Sequence, residues 1–61
     1  METIKQVLMR RDNLTSQEAQ DLINDARVQL DNYLADGDIA SAYDICNEFF
    51  TLEPDYIDEL I

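Results

Sequence analysis

Thr15-Ser16-Gln17-Glu18 sets a hydroxyl three residues ahead of a carboxylate, just before a run of apolar residues at helical spacing. In such a capping box the Thr15 hydroxyl accepts from the Glu18 amide, and the Glu18 carboxylate accepts from the amide of Thr15. Two amides that a helix start leaves bare are thereby satisfied. Leu14 and Ala19 occupy the two positions of an apolar staple around that start. From Ala19 onward, Leu22, Ile23, Ala26, Leu30, Tyr33 and Leu34 recur every three or four residues and line one helical face. Gly37, the only glycine, is the left-handed stop. The middle of the chain is therefore committed to one long helix.

Asp38 follows at once as the N-cap of a second helix, whose stripe is Ile39, Ala42, Tyr43, Cys46, Phe49 and Phe50. A turn this short predicts an antiparallel hairpin. Thr51-Leu52-Glu53 interrupts the pattern, and Pro54 opens a short last helix at its first position, where a missing N–H costs nothing. Asp55 in that first turn suits the helix dipole, and Tyr56, Ile57, Leu60 and Ile61 form its apolar edge. Upstream, Ile4, Val7 and Leu8 mark a short first helix ending near Asp12-Asn13. No alternating apolar run signals a strand. The expectation is an all-α fold in one domain over 1–61, a small bundle of four helical segments (short, long, medium, short) built on the central hairpin. A chain of 61 residues hides only about 60 % of its unfolded surface, enough for one core and no deep pocket.

Charge is the next constraint. Fourteen Asp and Glu face four Lys and Arg, a net charge of −10 with no histidine. Residues 1–13 hold Lys5, Arg10 and Arg11, and after Arg27 no basic residue occurs. Direct binding to nucleic acid or to anionic lipid needs a positive surface, so neither is expected. Asp21 with Asp25, Asp44 with Glu48, and Asp55 with Asp58 and Glu59 repel one another at helical spacing. Two readings stand for this acidity. It is a face that meets a basic partner, or it is a solvated surface that keeps a small protein in solution. Lys5, Arg10 and Arg11 either neutralise the acidic body within the monomer or hold a neighbouring copy.

Little in the sequence points to catalysis. The commonest general base is missing, and no glycine-rich loop is present to cradle a phosphate. Cys46 lies within the second stripe, as a small buried hydrophobe or else as a regulatory thiol. Asp36-Gly37-Asp38 resembles the tip of a calcium loop, but Leu34 and Tyr43 stand where such a loop needs oxygen ligands. No enzyme, cofactor or metal is expected. The N-terminal segment lacks the apolar core of a secretory signal, no run is long enough to span a bilayer, and one cysteine makes no internal disulfide. A cytoplasmic location follows as the expectation.

Residues 33–56 resemble part of a tetratricopeptide repeat. Gly37-Asp38, Ala42 five residues after the glycine, and Leu52-Glu53-Pro54 match its second helix and end, and Tyr33 matches its first-helix tyrosine. Phe49 and Leu30 depart from the small residues the repeat uses for close packing. A lone repeat has no neighbour to stack on, so no solenoid follows. The whole chain is similar to short acidic all-helical proteins of bacteria and prophages, a group of unassigned function. The similarity is carried by Met9-Arg10-Arg11-Asp12-Asn13-Leu14-Thr15, Glu18-Ala19, Gly37-Asp38 and Leu52-Glu53-Pro54-Asp55-Tyr56-Ile57. It implies a compact helical fold and a bacterial or phage setting, and no site residues.

Together these readings describe a small, acidic, non-catalytic protein that works by protein–protein contact. Its candidate partner-binding face is Asp44, Glu48, Asp55, Asp58 and Glu59, and a basic protein is the matching partner. A candidate apolar contact edge comprises Val28, Tyr56, Ile57 and Ile61; Val28 either meets the first helix or stays exposed. Mimicry of DNA toward a basic nucleic-acid-binding protein and assembly as a structural homo-oligomer, such as a homodimer, are the alternatives.

Overall fold

The computed structural model describes residues 2–61, of which 75 % are helical and none lies in a strand. The all-α expectation holds. In chain order the elements are α1 (Ile4–Arg11), α2 (Ser16–Ala35), α3 (Ile39–Tyr43), α4 (Ile45–Phe50) and a C-terminal 3₁₀ helix (Pro54–Glu59).

Each boundary has a local cause. Thr15 Oγ1 accepts from the Glu18 amide at 3.1 Å and Glu18 Oε1 accepts from the Thr15 amide at 2.9 Å, so the capping box of α2 is complete. A second box starts α1, where Thr3 Oγ1 accepts from the Gln6 amide and Gln6 Oε1 from the Thr3 amide. At the far end of α2, Gly37 takes φ +75. Its amide bonds to Leu34 O at 3.1 Å and the Asp38 amide to Tyr33 O at 2.8 Å, the paired closure of a helix on a left-handed residue. Asp38 then caps α3 by accepting from the Ser41 amide at 3.3 Å.

Beyond Asp38 the fold departs from the expected helices in two places. The single helix expected there is interrupted at Asp44, whose amide is shared between Ala40 O and Ser41 O at 3.3 and 3.2 Å. The last segment is a 3₁₀ helix, with Tyr56 N bonded to Glu53 O and Leu60 N to Ile57 O. The six residues that open on Pro54 close with the tighter i→i+3 bonds, as short terminal helical pieces commonly do.

The core joins Ile4 and Leu8 of α1, Ala19, Ile23, Ala26 and Leu30 of α2, and Ala42, Ile45, Cys46 and Phe50 of α3 and α4, with Leu60 closing the end. α2 packs against α1, α3 and α4, and α4 packs against the 3₁₀ helix. The inward side of α3–α4 differs from the expected stripe. Ile45 is 0 % exposed, whereas Ile39 and Tyr43 are 51 % and 61 % exposed. Both edges of this segment are apolar, and the edge carrying Ile45 is the one laid on α2. Leu34, expected in the stripe of α2, is also exposed, and Leu22, Tyr33 and Phe49 are half-buried at the margin of the core.

Candidate functional site

The three arginines are all engaged within the molecule. Arg10 holds Glu2 through two bonds, Nε to Oε2 at 2.9 Å and Nη2 to Oε1 at 2.7 Å. That hydrogen bond keeps the Glu2 carboxyl below the usual carboxylate range and raises the guanidinium. Arg11 pairs with Asp12 and also donates to Phe50 O at 2.6 Å, one of the carbonyls that the end of α4 leaves without a helical partner. Arg27 donates to Glu59 O at 3.1 Å. Arg11 and Arg27 therefore tie α1 and α2 to the C-terminal quarter of the chain.

Glu59 belongs to the same framework. It is half-buried, and its carboxylate accepts from the Ile4 amide at 2.9 Å, at the N-terminus of α1. A carboxylate there satisfies a bare amide and meets the positive end of the helix dipole. Of the five acids in the candidate face, Glu59 is thus the half-buried one, turned to a backbone amide of α1. Asp44, Glu48, Asp55 and Asp58 are exposed, Asp44 at the α3–α4 junction and Asp55 and Asp58 on the 3₁₀ helix. Glu48 accepts from the Tyr33 hydroxyl at 3.1 Å, and the bond pushes the Tyr33 phenol up from its ordinary value. Among the described residues, ion pairs form only at Glu2–Arg10 and Asp12–Arg11, so twelve of the fourteen acids have no basic side chain as partner.

No cluster of three acidic or cysteine side chains suited to hold a metal ion occurs among the described residues. Cys46 is fully buried, and burial pushes its thiol up, away from the reactive thiolate. Among the described residues no helix is long and apolar enough to cross a membrane.

The apolar edge divides. Val28 is 62 % exposed on α2 and stands apart from the rest. Tyr56 and Ile57 are half-buried against the core, and Ile61 is exposed. Ile57 and Ile61 instead join Leu34, Ile39 and Tyr43 around a groove of ≈ 270 Å³, with Leu30 and Ala42 at its floor and Asp58 at its lip. Sequence reasoning placed Leu34, Ile39 and Tyr43 in the core. The available signal was their position on either side of Gly37, at the turn end of the two stripes.

The chain matches no family model, no curated protein and no solved structure.

Proposed function

We propose that this chain is a small non-catalytic protein that works by binding another protein, and that its partner presents a basic surface. One observation carries the reading: all three arginines are turned to internal carboxylates and carbonyls, so the acid excess faces solvent without local compensation. An uncompensated field of one sign steers an oppositely charged partner and discourages like-charged ones. Asp44, Glu48, Asp55 and Asp58 form the contact face, while Glu59 supports it from within by holding α1 in place. The frame is α2 packed against α3–α4 as an antiparallel hairpin. A cytoplasmic bacterial or phage setting fits the sequence resemblance and the buried, unpaired Cys46. A basic nucleic-acid-binding protein is one such partner, which would make the chain a competitor of DNA.

The test is capture from a bacterial lysate with elution in rising salt, beside a variant carrying Asp44→Lys and Glu48→Lys. The expected result is a basic protein released by moderate salt and absent from the variant. Capture that is indifferent to both salt and charge reversal would refute the acidic face as the binding site.

A further inference from the structure

The groove between the end of α2, α3 and the C-terminal segment has features that the acidic face alone does not explain. Leu34, Ile39, Tyr43 and Ile61 are 47 %, 51 %, 61 % and 85 % exposed, yet they converge from three elements on one depression. Single exposed apolar residues such as Met9 and Val28 are ordinary; a contiguous apolar group marks a contact surface. The rim is too open to enclose a small molecule, because ligand sites bury most of their occupant. A groove floored by packed helices matches the apolar stripe of another helix.

Charge selects the occupant. Asp58 lies at the lip, and the flanking segments carry Asp31, Asp36, Asp38, Asp44 and Asp55, all exposed. No lysine or arginine follows Arg27, so nothing in these segments offsets them. A second copy brought to this groove would place one −10 body against another, with carboxylates facing carboxylates in a drying interface. Lysines beside an apolar stripe would meet the aspartates while the stripe fills the groove.

We infer that this groove binds an amphipathic helix whose apolar stripe is flanked by basic residues, supplied by a partner protein. The inference rests on the basic-partner reading above and adds to it an apolar anchor.

The experiment uses fluorescence anisotropy with three labelled peptides of about 15 residues, built on the i, i+3, i+4, i+7 spacing of helix-in-groove ligands. One has leucines at those positions and lysines around them. The second replaces the lysines by glutamates, and the third keeps the lysines but replaces the leucines by alanines. The leucine–lysine peptide is expected to bind at least about tenfold more tightly than either control, and to lose at least about tenfold with Ile39→Gln or Tyr43→Ala. Both substituted side chains are exposed, and unchanged circular dichroism would verify the fold. Met9→Gln, at an exposed apolar residue of α1 that does not line the groove, is expected to retain the peptide within about threefold.

If the lysine peptides bind equally whatever their apolar stripe, and Ile39→Gln changes nothing, the groove is overturned while the acidic reading survives. Equal binding of the lysine and glutamate forms overturns the basic-partner reading itself. Binding of no peptide overturns the groove, as does self-association that Ile39→Gln abolishes.

Discussion

Glu59 accepts a hydrogen bond from the backbone amide of Ile4 at 2.9 Å across 55 residues of sequence, so the last helical turn caps the first helix. Arg11, at the other end of α1, donates to the carbonyl of Phe50 at the end of α4. A carboxylate thus sits at a helix N-terminus and a guanidinium at a helix C-terminus, each on the favoured side of the dipole. α1 is clamped at both ends by the C-terminal quarter.

Glu59→Ala should therefore cost about 0.5–2 kcal/mol, the usual range for losing a cap. Thermal unfolding would show it as a drop of about 4–8 °C per kcal/mol in a domain this small. Glu59→Gln keeps an acceptor oxygen and should lose less. Equal melting of all three proteins would mean that α1 docks without this bond.

Arg11→Ala removes the partner of Phe50 O and should cost about 1–2 kcal/mol, readable in urea unfolding. Arg10→Ala breaks only the exposed pair with Glu2 and should change little. A larger loss at Arg10 than at Arg11 would contradict the clamp.

Ile45→Ala should cost about 2–5 kcal/mol, because Ile45 is fully buried and its removal leaves a cavity. Tyr43→Ala, on the opposite edge of the same segment, should stay within about 0.5 kcal/mol. The reverse order in thermal melts would restore the stripe that helical spacing alone suggests.

Thr51 ends α4 at φ 55 and ψ 44, a left-handed backbone in a β-branched residue. That conformation costs on the order of 1–2 kcal/mol for a residue with a Cβ. Thr51→Gly should raise stability by about 0.5–1 kcal/mol, after allowing for the greater freedom of glycine in the unfolded chain. A lower melting temperature would show that the Thr51 side chain contributes more than its backbone strain.

The Glu18 carboxyl is held below its ordinary value of 4.5, chiefly by the backbone amide of Thr15. A lowered native pKa gives stability that is present above the unfolded value and is lost as pH falls through the native one. Glu18→Gln preserves the capping bond but does not titrate, as Gln6 does in the box of α1. The stability difference between wild type and Glu18→Gln should be constant above about pH 5 and shift against the wild type below it, in thermal melts taken at several pH values. A difference independent of pH down to full protonation would mean that the charge of Glu18 adds nothing to the cap.

The parts of this molecule that depend on neighbours in the chain could be read directly. Thr15 with Glu18, Gly37 with Asp38, and Pro54 mark boundaries because capping, left-handed closure and a missing N–H act over a few residues. The box at Thr3 and Gln6 carries the same signal and was equally readable. Helical spacing likewise located the stripe of α2 and the all-α class.

Tertiary packing decided the rest. Ile45 and Tyr43 lie on two apolar edges of one segment, and periodicity cannot say which edge α2 will cover. Nor does any spacing announce that Glu59 will serve Ile4, or that Arg27 will reach the Glu59 carbonyl. Those bonds depend on where helices lie in space, as does the groove that gathers Leu34, Tyr43 and Ile61. Local chemistry set the elements; burial of the stripes against one another chose which acids stayed free and which apolar residues were left uncovered.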